Sequence, residues 1–215
     1  MARNPTARPA TASSVRSPRF VLIAAVLAGL VILGTGAFLV LVLHDSPRGA
    51  AGTALGSAIG GPFQLVDQNG KTVTEADLKG KWSLVYFGYT HCPDACPTAL
   101  NDISIALADL GPKRDAVRPV FITVDPERDT PESLKAYVTS FDAPILALTG
   151  SPEQVAKAAK GYRVYYAKHP EAGGDYSMDH SSVIYVMDPE GRFTASFTHE
   201  SAPEQIAERL KKLIG

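Results

Sequence analysis

Between Leu84 and Leu100 the chain reads L-V-Y-F-G-Y-T-H-C-P-D-A-C-P-T-A-L, which holds both of its cysteines, Cys92 and Cys96. An apolar run, Leu84 to Phe87, leads in, and a helix-like pattern, Ala99 to Leu110, leads out. The order is therefore buried strand, cysteine loop, helix, and Pro97 suits a first helical position. Cysteines just ahead of a helix face backbone N–H groups that favour thiolate, the form that reacts and binds metal. As a plain structural staple the pair has little to offer. With only three residues between the cysteines, the chain-entropy estimate is about 2 kcal/mol, low for a disulfide. The remaining domain is large enough to bury a core without one. The stretch reads as a redox or metal site.

The rest of the chain fits around it as alternating strands and helices. Asn69-Gly70 between Leu65 and Val73 is a hairpin turn, and Thr74 caps a helical turn through Leu78. Trp82 to Phe87 is the central strand, and Leu100, Ile103, Leu107 and Leu110 stripe the helix that follows. Pro119 to Val124 is a second buried strand, ending in V-D-P-E-R-D-T-P-E, where Thr130 and Pro131 start a helix. Ile145 to Leu148 is a strand, and Ser151 caps a helix that Gly161 stops. Val164 to Tyr166 begins an extended piece, and Lys168 to Asp179 reads as a polar loop around Gly173-Gly174. Val183 to Met187 and Phe193 to Phe197 form a hairpin, and the last helix runs from Pro203 to Ile214. Two βαβ units closed by an antiparallel hairpin and a helix give an α/β, thioredoxin-like fold with a mixed central sheet.

Ahead of this domain, residues 1–19 contain four arginines and no acid, and residues 20–43 contain no charge. As a helix the apolar run would be about 36 Å long, enough to cross a hydrocarbon core of roughly 30 Å. It is longer than the apolar region of a cleaved signal peptide and lacks a small-residue cleavage site, so it reads as a transmembrane anchor. The basic leader places the N-terminus in the cytoplasm and the domain on the far side. Pro5, Pro9 and Pro18 spoil the amphipathic helix of a mitochondrial presequence. A bacterial inner membrane with a periplasmic domain is the stronger reading, the mitochondrial inner membrane the weaker. Such a compartment permits disulfides, so the cysteine pair can cycle. Residues 44–61, rich in Gly and Ala, read as a flexible tether with an r.m.s. span of about 23 Å. The folded domain is then 62–215. Removing the four leader arginines from 21 basic residues leaves 17 against 22 acids, a balance that excludes nucleic acid as a partner.

Two thiolates suit Cu(I), and adding one imidazole makes a site for copper in either oxidation state. Closed zinc sites want four ligands. Of the five histidines, His180, in M-D-H-S-S directly before the closing hairpin, lies in a loop that faces the cysteine loop in a thioredoxin-like fold. It is either the third ligand or a surface loop residue. His91 adjoins Cys92, but neighbours in sequence seldom point into one site, so it reads as a supporting or exposed group. Asp179 can orient a ligand, as carboxylates behind metal-bound histidines do, or can simply form a turn. Met178 is a soft donor, though a lone Met is more often packing. His44 belongs to the tether, and His169 and His199 read as solvated.

Taken together, F-G-Y-T-H-C-P-D-A-C-P, V-D-P-E-R-D-T-P and D-H-S-S-V-I-Y-V-M-D-P-E-G-R resemble the Sco/SenC family. These are membrane-anchored, thioredoxin-like copper proteins of cytochrome c oxidase assembly. The resemblance runs from about Gly61 to the end, in order. It implies copper ligands at Cys92, Cys96 and His180. It also implies a metallochaperone rather than an enzyme, which takes copper from an upstream periplasmic donor and passes it to the binuclear copper centre of oxidase subunit II. Two other functions use the same residues. One is a thiol–disulfide reductase in which Cys92 and Cys96 keep the acceptor's cysteines reduced; the other is a redox or copper sensor. A peroxidase is weaker, since no Pro-x-x-x-Thr-x-x-Cys pattern surrounds Cys92. For V-D-P-E-R-D-T-P the residues themselves yield only a capped helix start.

Overall fold

Strand β3, Trp82–Gly88, is apolar on both faces because it lies in the middle of the sheet, with six of its seven residues buried. In this computed structural model, which describes residues 59–215, β3 pairs in parallel with β4 (Val117–Thr123) and antiparallel with β8 (Val183–Met187). β5 (Leu146–Thr149) continues the parallel part beside β4. The antiparallel hairpin of β1 (Gln64–Asp67) and β2 (Thr72–Thr74) forms one edge, and β9 (Phe193–Thr198) the other. The seven-stranded order is β2-β1-β5-β4-β3-β8-β9. Parallel neighbours need crossovers, and α1 (Ala95–Asp109) and α2 (Pro131–Val138) provide them. α3 (Pro152–Gly161) packs on β1, and α4 (Pro203–Ile214) packs against α1. The expected thioredoxin-like α/β architecture with a mixed sheet is what the chain adopts.

Helix α1 buries Cys96, Ala99, Leu100, Ile103 and Leu107 along one face, and α4 buries Ile206, Ala207 and Leu210. Both follow the 3.6-residue period read from the sequence. α1 starts at Ala95, earlier than the Pro97 start expected. Proline is tolerated anywhere in the first turn, because those N–H groups have no partner inside the helix. Cys96 is thereby drawn into the helix proper rather than left in the loop. At the other end of the domain, Ile59 packs against the core and the Gly60 amide bonds to the Gly161 carbonyl at 2.9 Å. The folded body thus begins by residue 59, before the expected boundary at 62, because Gly161 offers that amide a carbonyl. The basic leader, the apolar run Phe20–Leu43 and residues 44–58 of the tether lie outside the described residues. Among the described residues no helix is long and apolar enough to cross a membrane.

The largest departure is the segment read as a polar loop. It forms a two-stranded antiparallel ribbon of β6 (Tyr166–Pro170) and β7 (Tyr176–His180). Gly173 and Gly174, both at positive φ, make its tip. His180 is therefore the last residue of a strand, opposite Tyr166, and not a loop residue. The period-2 signal was absent because the ribbon buries almost nothing: Met178 is its one buried residue.

Candidate metal centre

The site lies where β3 ends. Gly88 closes the strand, and a Cβ placed there would sit 2.7 Å from Cys96 Sγ and 2.9 Å from a ring carbon of Phe121. Glycine is needed so that the sulfur can lie directly against the strand end. Cys96 is fully buried and Cys92 half-buried, and the two are not joined in a disulfide. Asp94, at the N-cap of α1, makes no side-chain cap bond, and its carboxylate takes the Thr98 hydroxyl instead. The Cys96 amide, in the first turn, reaches Cys92 Sγ at 3.4 Å. The Cys92 sulfur thus does the capping, and negative charge on it is favoured there.

His180 arrives from the far side. Its Nε2 lies 3.3 Å from Cys96 Sγ, and its Nδ1 lies 3.4 Å from the Ser181 carbonyl oxygen. A carbonyl only accepts, so Nδ1 carries the hydrogen and Nε2 turns a lone pair toward the sulfurs. Tyr86 and Tyr89 meet the ring edge-on, each with centroids 6.0 Å away, and hold its plane. The ligand atoms of Cys92, Cys96 and His180 all lie within 4.8 Å of one another. The structure therefore brings together the three residues singled out in the sequence, 84 positions apart at their widest hydrogen-bonded pair.

The two thiols share one negative charge. Cys96 donating to Cys92, together with the helix-start amides, holds the Cys92 thiol down at about 4 despite its burial. The Cys96 thiol is pushed far up, first by its bond to an ionised Cys92 and then by burial. Tyr86, whose hydroxyl faces Cys96 Sγ at 4.0 Å, is likewise raised by burial and by the nearby sulfurs. The centre is a thiolate–thiol pair beside an imidazole nitrogen. That set of two soft sulfurs and one nitrogen fits Cu(I), which favours such ligands at low coordination number.

Asp179 and His91 both stand outside the cluster, His91 in the exposed setting that was one of its two readings. Asp179 is exposed, on the opposite face of the ribbon from His180, and pairs with His169 at 2.8 Å. The period-2 alternation of a strand turns adjacent residues to opposite faces, which a loop reading could not anticipate. His91 is exposed and outside the cluster, with its Nδ1 3.1 Å from Thr90 Oγ1. Met178 packs as a buried side chain on the same ribbon face as His180.

The supporting part is played by the loop V-D-P-E-R-D-T-P, which sequence reasoning saw only as a helix start. Asp129, fully buried, takes the Thr90 amide and hydroxyl at 3.1 and 2.6 Å and the Thr123 hydroxyl at 2.6 Å. Burial raises its carboxyl, and the threonine donors oppose that rise. Thr90 is two residues from Cys92, so this carboxylate fixes the cysteine loop. From the same loop, Asp125 accepts from the Tyr176 hydroxyl at 2.8 Å and from Arg128, whose guanidinium also bonds Asp175 and stacks 3.6 Å over the Tyr176 ring. Tyr176 and Asp175 belong to the ribbon that ends in His180. One loop therefore positions both halves of the centre. Three acids and an arginine crowded into the five residues from Asp125 to Asp129 were the available signal.

The SCO1/SenC family pattern matches residues 51–215. Among solved structures, Bradyrhizobium japonicum ScoI with copper bound is 54% identical, with a TM-score of 0.68, covering 72% of this chain and 99% of that one. The Arabidopsis thaliana mitochondrial SCO1 homolog 1 is 44% identical over 159 residues, 74% of this chain but 48% of the relative, so the match spans about half its length. A SCO2-like protein of Rickettsia prowazekii is 38% identical over 84% of this chain and 91% of its own.

Proposed function

This chain belongs to the SCO1/SenC family, and on that premise we propose that it is a copper metallochaperone for cytochrome c oxidase. Cys92, Cys96 and His180 hold copper, chiefly as Cu(I), and pass it to the binuclear copper centre of oxidase subunit II. The observation that carries the reading is the cluster itself, two sulfurs and a correctly oriented imidazole nitrogen within 4.8 Å. A copper-bound relative at 54% identity supports the choice of metal. Three protein ligands leave the ion open to an incoming thiolate or imidazole, so transfer proceeds by ligand exchange and not by release to solvent. The N-terminal anchor and the tether keep the donor beside its membrane-bound acceptor, with the domain on the periplasmic side, where an upstream donor loads it.

The test is an anaerobic Cu(I) titration of the parent and of His180→Ala. The parent takes up one tightly held copper, and His180→Ala loses most of the affinity. A variant that binds like the parent removes His180 from the ligand set. A second reading, thiol–disulfide reduction of the acceptor's cysteines, is favoured by a specific feature. A thiolate at Cys92 stands before a buried partner thiol, the usual arrangement of attacking and resolving sulfurs. Reductase turnover by a parent that takes up no copper would make that the primary function.

A further inference from the structure

A second imidazole, that of His91, immediately precedes Cys92 in the chain, and its ring is held by a defined chain of hydrogen bonds. Thr90 Oγ1 lies 2.6 Å from Asp129 Oδ1 and 3.1 Å from His91 Nδ1. A hydroxyl has one proton to give. Asp129 receives the Thr90 amide and the Thr123 hydroxyl on its other oxygen, a set of donors that suits an ionised carboxylate. The Thr90 proton therefore goes to Asp129, and its oxygen offers His91 only lone pairs. His91 must carry a hydrogen on Nδ1, and in the neutral ring this leaves the lone pair on Nε2. Among the described residues no hydrogen bond takes up that nitrogen, and the side chain is exposed. A buried carboxylate acting through a bonded group to set a ring's tautomer is how metal-binding histidines are prepared. His180 carries the same tautomer for a different reason, the Ser181 carbonyl. A surface histidine with no role has no need of a buried carboxylate behind it.

We propose that His91 is a transit ligand for copper, binding the ion through Nε2 on its way into or out of the centre. The inference rests on the copper reading above. Consecutive Cα atoms are 3.8 Å apart and their side chains diverge, so His91 does not complete the resident site with Cys92, Cys96 and His180. Transit needs only contact in sequence. In loading, a Cu(I)–Nε2 bond forms as one bond to the carrier's thiolate breaks. The Cys92 sulfur, the more exposed of the pair, then binds the ion as the carrier departs. Copper remains cuprous throughout and no electron moves; any thiol proton leaves to solvent as its sulfur joins, and the bond to His91 Nε2 breaks as His180 Nε2 binds. Unloading is the reverse with the acceptor's ligands.

The full-length chain is given Cu(I) as its bis-bathocuproine disulfonate complex, whose loss of colour reports both the rate of capture and the final affinity. With His91→Gln the capture rate falls about tenfold, equivalent to roughly 1.4 kcal/mol of barrier, while affinity stays that of the parent. Thr90→Val keeps the imidazole but frees its ring, and slows capture as well, whereas Thr90→Ser restores the parent rate. A metal-free measurement stands beside these: ¹⁵N spectra of the apo protein place the His91 proton on Nδ1 in the parent and move it toward Nε2 in Thr90→Val. A parent that takes up no copper, with the proton still on Nδ1, overturns the metallochaperone reading and this inference with it. Normal copper affinity with an unchanged capture rate in His91→Gln overturns the transit ligand alone. A fall in affinity in step with rate makes His91 a resident ligand, and a parent proton on Nε2 removes the physical basis.

Discussion

At the residue scale, the position with least tolerance is Gly88, where the space for a Cβ is occupied by the Cys96 sulfur and the Phe121 ring. Gly88→Ala must displace one of two fully buried side chains, so it is expected to destabilise the domain by roughly 1–3 kcal/mol, the usual cost of overpacking. Urea unfolding measures that loss, and a copper titration of the same variant shows whether Cys96 has moved from its ligand position. The cysteines themselves differ in reactivity. An ordinary thiol loses about tenfold in thiolate, and in alkylation rate, for each pH unit below its pKa. Cys92 is held at about 4, below its ordinary value, so its thiolate persists as the pH falls and is lost only near that value. Iodoacetamide should therefore modify Cys92 at a nearly constant rate from pH 8 down to about pH 5, then more slowly. Cys96, shifted upward and fully buried, should stay unmodified across the same range, as peptide mass mapping would show. A Cys92 rate that declines steadily from pH 8 would mean that the helix start and its partner thiol do not stabilise the charge.

At the scale of elements, the ribbon β6–β7 and the loop from Asp125 to Asp129 form one unit. Arg128 is its rivet, joining Asp125, Asp175 and the Tyr176 ring. Arg128→Ala leaves the nearly buried Asp125 carboxylate with the Tyr176 hydroxyl as its remaining side-chain partner, a loss of about 1–3 kcal/mol. Faster amide exchange confined to Tyr176–His180, with the β3–β4–β5 sheet still protected, is the expected signature; uniform acceleration would mean that the ribbon does not open separately. The sequence could not reveal this unit. Strands and helices with a buried face, such as Trp82–Gly88 or Pro203–Ile214, announce themselves by period and capping. A ribbon with one buried residue has no such period, and its stability comes from ion pairs and stacking with residues about 50 positions away. The cysteines were legible because two thiols between a buried strand and a helix are unusual, whereas His180 was singled out as a ligand only by the family resemblance. Asp129 was not legible, because its partners Thr90 and Thr123 are brought together only by the parallel pairing of β3 with β4.

At the scale of the whole molecule, the centre joins the two parts of the fold that the sheet alone leaves least connected. Cys92 and Cys96 stand at the junction of β3 and α1, in the middle of the domain, while His180 ends a ribbon whose two strands form a sheet of their own, separate from the main sheet. An unfolded chain cannot hold the three ligands in one place, since Cys96 and His180 are 84 positions apart. Metal that binds the folded state alone must therefore stabilise it by mass action. With free Cu(I) about a thousandfold above the dissociation constant, the gain is about 4 kcal/mol. For a domain of this size each kcal/mol raises the melting temperature by about 2–4 °C, so an increase of roughly 8–16 °C is expected. Thermal melts at graded Cu(I), under argon, measure it. In Cys92→Ser the melting temperature should hardly respond to copper. In His180→Ala two thiolates still bind, but the clamp on the ribbon is gone. Its smaller shift should leave amide exchange in Tyr176–His180 as fast as in the apo protein. A full-sized shift in that variant would place the copper on the cysteine loop alone and leave the ribbon with no part in holding it.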